Sequence, residues 1–461
     1  MRFSLWLFLV AAFLVFCILF GGGALPYRLS ETAVRLASLT VLFFALSLWF
    51  RTPVSKRPKW IIPFCIAPTL YFIAQLIPVP RGFWGNLGNS ALPAPVFALL
   101  PYPPDWTTTS LAPTATRLAL FGLAPPVAAF IATLFLDWRE RRVLICVLTA
   151  LGVVSVGLGF LQVAQGSESD LRFYTDTGPT PVGFFANRNH FAALLYSLLV
   201  MAIGWIAMLL KQRTAARGQS RRVAFVAFAV TSVLLFSICQ FVTNSRMGLA
   251  LHGVALVLGY SMLLVPLTAN VLFRRLRLAA AAGAALILFL FVFYGLAGMA
   301  DRFDTASQGS DRLNFALTTL EAAKSFFPVG AGMGAFGQVF DAFQPKEQIL
   351  PGLFVNHAHN DYAELLLETG LFGLLWMMAF IVWWTRSALQ GRSVDFVTLD
   401  GSDFDPTIIR RVGLLVTGLL LFHSLVDYPL RTEALAALFG FACALQFSPL
   451  CRTRLGFADK G

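Results

Sequence analysis

Long apolar runs alternate with short polar segments along the whole 461-residue chain. About 20 predominantly apolar residues suffice to cross a bilayer as a helix. By that length the runs predict twelve spans, near 4–21, 32–50, 60–79, 117–136, 143–164, 190–210, 223–242, 249–266, 279–298, 361–384, 412–427 and 432–448. The first run closes without a small-residue cleavage site, so it reads as a span and not as a signal peptide. The expected fold is an all-α polytopic membrane protein of about twelve helices, divided into 1–298 with nine spans, a large outer loop at 299–360, and 361–461 with three spans and a tail.

Two outer segments are long enough to fold. The first, 80–116, is proline-rich and is expected to pack over the bundle as a loop. Within the second, Asp311 to Phe327 reads as an amphipathic helix, with Leu313, Leu317, Leu320 and Phe327 at helical spacing. Pro328 and "GAGMG" follow. A phosphate-cradling loop needs a preceding strand and a GK[ST] ending, so this glycine run reads as a plain turn.

Composition agrees with the pattern. The chain is 57% hydrophobic and 13% charged, where a soluble domain carries roughly 25% charged residues. With the N-terminus inside, segments on one side of the membrane hold 23 of the 35 Lys and Arg residues, while 16 of the 23 acids fall on the other. Positive segments stay cytoplasmic, so both termini are expected inside and the long loop outside. The net charge of +12 is then a topology signal. No basic polar domain suggests nucleic-acid binding. Cys17, Cys65, Cys146, Cys239 and Cys443 lie in predicted spans and Cys451 in the tail, which leaves no outer disulfide framework and no zinc-type spacing.

Candidate chemistry collects at the outer side. Of the five histidines, His190, His357, His359 and His423 fall on or near it, and His252 sits within a span. His359 adjoins Asn360 immediately before a bilayer-entering helix, and imidazole suits general-base work on a hydroxyl. The bland alternative is a structural hydrogen-bond donor. Arg246 in "FVTNSRMGLAL" is embedded between two apolar runs, and a charge that deep is costly unless it is paired or lines a polar cavity. Arg312 opens the loop helix and Arg188 starts the sixth span. Guanidinium forks bind phosphate oxygens bidentately, so these three point to an anionic ligand at the outer face. Arg431 reads instead as a snorkelling side chain. His423 and Asp427, four apart, are expected on one helix face, either as a proton-bearing pair or as a bond pinning two helices.

Six stretches resemble the O-antigen ligase and polymerase superfamily of bacterial inner-membrane glycosyltransferases: "QLIPVP", "GFFANRNHFAALL", "TNSRMGLAL", "SDRLNFALTTLEAAKSFFPVGAGMGAF", "HAHNDYAELLLETGLFGLL" and "HSLVDYPLR". The resemblance covers most of the chain in the right order. It implies a GT-C-like helical arrangement with a periplasmic loop beside the active site. It also implies a glycan donor on undecaprenyl diphosphate, transferred without metal or other cofactor. The family's "SR.G" arginine falls on Arg246, its loop arginine on Arg312 and its essential histidine on His359 in preference to His357. Many members carry a tryptophan shortly after the loop arginine, where Phe315 stands here. The acceptor implied for a ligase is a sugar hydroxyl of the lipid A core, and for a polymerase a nascent glycan. A transporter of the same lipid-linked glycan is the alternative from another class, but it would favour internal repeats and interrupted spans, and neither is visible.

Overall fold

In a bilayer the backbone amides must be satisfied within the chain, so apolar runs of this length fold as helices. The structure, a computed structural model, describes residues 4–23, 29–82, 99, 101–102, 104–175, 177–211, 219–264, 307–346, 349, 354–390 and 406–450. In chain order the bundle helices are α1 (Leu5–Phe20), α2 (Leu29–Arg51), α3 (Ile61–Leu76), α4 (Pro113–Gly122), α5 (Ala124–Leu134), α6 (Trp138–Gln165), α7 (Arg188–Lys211), α8 (Gln219–Val242) and α9 (Arg246–Gly259). The loop helices α10 (Ser307–Ser325) and α11 (Phe336–Phe343) follow, then α12 (Asp361–Gln390), α13 (Pro406–His423) and α14 (Glu433–Ala444). Among the described residues, eight helical segments are long and apolar enough to cross a membrane, with α4 and α5 counted as one; α1, α3 and α14 are shorter apolar helices. The chain is an all-α, multi-pass membrane protein. The span expected at 279–298 lies outside the described residues.

Local sequence explains the helix ends. Asp137 and Glu140 form a reciprocal capping box at the start of α6, and Ser245 caps α9 by accepting from the Gly248 amide. The proline-rich outer segment departs from a plain loop: β1 (Pro78–Pro80) pairs antiparallel with β2 (Trp106–Thr108).

The core is centred on α7. Its apolar window is 89% buried, as befits a helix apolar on every face, and α6, α8, α9 and α13 pack around it. A Cβ on Gly248 would collide with Ala192, so the glycine lets the N-terminal end of α9 press against the N-terminal end of α7. That contact brings Arg246 and Arg188 to the same region of the bundle.

A second, smaller core joins the loop helices to the bundle through Phe315, Ala322 and Phe326 of α10, Phe336 and Phe340 of α11, and Leu367 of α12. The face of α10 differs from expectation. Leu313 and Leu317 are 62% and 54% exposed, and Leu320 and Phe327 are also outside. The Phe315, Ala316, Thr319 and Ala323 face is the buried one, because small residues let α10 approach α12 closely. The glycine run is a turn stitched to α12: Ala331 and Gly332 donate to the Leu367 and Glu368 carbonyls at 2.8 and 3.0 Å. Gly330 takes φ 83 with the Glu368 backbone against its α-carbon, a position that admits no side chain.

Candidate active site

Two polar clusters meet where the N-terminal ends of α7 and α12 approach the C-terminal end of α13. The first is built on Asp427. Helix α13 ends at His423, so Asp427 lies beyond the helix and shares no face with that histidine; only the Asp427 amide reaches the His423 carbonyl, at 3.0 Å. The His423 ring instead meets the Tyr196 hydroxyl at 3.0 Å, pinning α13 to α7. The Asp427 carboxylate is freed for other partners. Its Oδ1 lies 3.2 Å from His359 Nδ1 and accepts from the Tyr428 amide at 3.0 Å. Its Oδ2 accepts from Asn189 Nδ2 at 2.6 Å and lies 3.5 Å from a guanidinium nitrogen of Arg312. Burial alone would raise the Asp427 pKa, but the His359 hydrogen bond and the adjacent positive charge hold it well below the usual carboxylate range.

His359 is aimed by its backbone. It adopts φ 50, an uncommon region for a non-glycine residue. Asn360, next in sequence, caps α12 through its Oδ1, which accepts from the Tyr362 and Ala363 amides at 3.0 Å each. Its Nδ2 donates to the Leu425 carbonyl at 2.9 Å. Asn360 therefore clamps the start of α12 to the turn that carries Asp427. Asn244, at φ 54, is the other non-glycine residue with positive φ among the described residues, and it sits two positions before Arg246. Backbone outliers of this kind cluster at functional sites.

The second cluster surrounds Arg431, which is no snorkelling side chain. Its partly buried guanidinium lies among Glu368 at 2.9 Å, Glu364 at 3.4 Å and Asp361 at 3.5 Å. Those acids occupy one face of the first two turns of α12. Burial would lower the Arg431 pKa, but the three carboxylates raise it. His357 Nδ1 meets Glu364 at 2.8 Å. Burial works to lower the His357 pKa, and the charge and hydrogen bond of Glu364 reverse that to a net rise. Glu368 also accepts from the Gly334 amide at 2.9 Å, which consumes a donor of the glycine run. Tyr428 stands between the clusters, its ring centroid 4.2 Å from His357, 5.1 Å from His359 and 4.9 Å from His190.

Residues 230–378 match the family model described as O-antigen ligase. Over those residues the chain is similar to that family. No curated protein matches the chain. The ligase-family segment runs from α8 into α12 and contains Arg246, Arg312, His357, His359 and Asn360. Arg188, His423 and Asp427 lie outside it.

The structure brings His359, Asp427 and Arg312 into one contact network. Arg246 is not deep, as its sequence context suggests, but exposed at the first position of α9. A cation is disfavoured at a helix N-terminus, unless an anion shares the position. Arg188 opens α7 one residue before Asn189, partly buried. Sequence reading missed Asn189, Tyr428 and the Asp361–Glu364–Glu368 face. Only the last left a trace, in the spacing of acids across "DYAELLLE".

Proposed function

We propose that this protein is an O-antigen ligase-type glycosyltransferase of the bacterial inner membrane. It moves a glycan from undecaprenyl diphosphate to a sugar hydroxyl of the lipid A core at the periplasmic face. The observation that carries this reading is the His359–Asp427–Arg312 network. Asp427 occupies Nδ1 of His359, which leaves Nε2 as the acceptor for a proton, the arrangement by which a carboxylate orients a catalytic imidazole. The acceptor oxygen attacks the anomeric carbon as its proton passes to Nε2. The bond from that carbon to the diphosphate breaks, the electron pair leaves on the phosphate oxygen, and the anomeric configuration inverts. The Arg312 side chain, in contact with Asp427, remains 40% accessible. With Arg246 and Arg188 it would meet the charge that grows on the leaving diphosphate.

Lipopolysaccharide from a deletion strain tests the acceptor. Free polymer with bare core is the expected pattern, restored by the wild-type gene and not by His359→Ala. Core carrying single repeat units would identify a polymerase in place of a ligase. Orientation is tested by cysteine labelling: Ala216→Cys should be shielded from an impermeant periplasmic thiol reagent and Lys346→Cys should react. The reverse pattern would overturn the periplasmic site.

A further inference from the structure

A cavity of about 790 Å³ opens between α2, α3, α4, α5, α12 and α14. Neither His359 nor Arg312, Arg246 or Arg188 lines it. Its walls divide by depth. At the outer ends of these helices and in the outer loop lie Glu31, Asp341, Asp361, Glu364, Glu368 and Glu433. Only two guanidinium groups, Arg35 and Arg431, and the His357 imidazole oppose those six carboxylates. Toward the inner ends the wall becomes aromatic, with Trp60, Phe64, Trp376, Phe380, Trp383 and Phe447. Phe64 stacks on Trp376 at 5.1 Å and Trp383 on Phe447 at 5.5 Å.

Such a cavity is shaped for an amphiphile lying along the bilayer normal, its polar head outward. The acidic excess repels a diphosphate and attracts a cation. A second observation sharpens the point. Glu31 is 2% exposed, and its Oε1 has no hydrogen-bond partner among the described residues. A buried carboxylate oxygen of that kind calls for a donor. We propose that the cavity binds a zwitterionic aminophospholipid. Its primary ammonium donates to Glu31 and the neighbouring acids, its phosphate faces Arg35, and an acyl chain lies along the aromatic wall. The cavity shares His357, Glu364, Glu368 and Arg431 with the second cluster but none of the residues assigned to the diphosphate, and the proposal does not depend on the reaction assigned above.

Full-length protein in nanodiscs tests it, with dioleoyl-phosphatidylethanolamine, -phosphatidylcholine or -phosphatidylglycerol titrated as probe and bound lipid counted by native mass spectrometry. About one ethanolamine lipid per chain is expected, in preference to choline, whose quaternary nitrogen donates no hydrogen bond. Glu31→Gln removes the charge and should weaken ethanolamine-lipid binding roughly ten- to a hundredfold, the worth of one charge-assisted hydrogen bond. Ala119→Trp, which narrows the cavity, should abolish it. Equal binding of the three lipids, preference for the glycerol lipid, or ethanolamine-lipid binding that survives both variants would overturn the proposal. Should a variant fail to fold, the headgroup order measured on the wild type decides alone.

Discussion

Asp427→Asn is the most informative single change. The side chain of Asp427 is only 1% exposed, and its Oδ1 lies 3.2 Å from His359 Nδ1. On the proposed mechanism His359 becomes a cation beside that carboxylate as it takes the acceptor proton. Two unit charges about 4 Å apart interact by about 4 kcal/mol at an effective dielectric of about 20. Removing the charge while keeping the shape should therefore lower kcat by about a thousandfold. KM for the donor should move little, because Arg312 touches Asp427 only at 3.5 Å and keeps its free nitrogens. The assay is single-turnover transfer from a prenyl-diphosphate-linked glycan by purified protein in nanodiscs, with thermal unfolding as a check on folding. A structural role would also slow turnover, so the change must be repeated in a His359→Ala background. If Asp427 acts through His359, its further cost there should nearly vanish, the non-additivity expected of residues in one network. A folded Asp427→Asn variant within a few-fold of wild type would refute the dyad. So would a full additional loss in the His359→Ala background.

His359→Ala should lose roughly a hundred- to ten-thousandfold in transfer while still binding the donor, and His357→Ala, whose ring is bonded to Glu364, should be milder; the opposite order in purified variants would exchange their roles. Arg246→Ala and Arg312→Ala should each cost about 2.7–4 kcal/mol in the transition state, with lysine rescuing little of it, as read from kcat. Arg431→Met takes the cation away from three clustered carboxylates, two of them fully buried, and should destabilise the fold by about 3–5 kcal/mol; an unchanged melting temperature would show that the cluster is not structural. The raised pKa of His357 contributes stability that is complete below its unfolded value of about 6.5 and is lost as pH climbs through the higher folded value. The melting temperature should therefore fall from pH 6 to pH 9 by more in the wild type than in His357→Gln, and equal slopes would contradict the ion pair with Glu364.

Length and hydropathy alone disclosed the membrane class and eleven apolar runs that fall on described helices, eight of them in helical segments long enough to cross a membrane, because a bilayer leaves an apolar run of about 20 residues one way to satisfy its backbone. The helix start beside His359 was likewise legible, in the long apolar run that follows Asn360. What failed was everything that depends on a partner distant in the chain. Asp427 looked like the companion of His423 because both stood in one apparent helix; the early end of α13 turned it to His359, 68 residues away. Arg431 looked like a lipid-facing cation, since nothing within a helical turn of it is acidic beyond Asp427 and Glu433, and its three partners sit on α12. The apolar stripe of α10 pointed outward because close packing favoured its alanines over its leucines. A sequence states which groups are costly to leave in an apolar medium; only the tertiary structure decides which groups meet them.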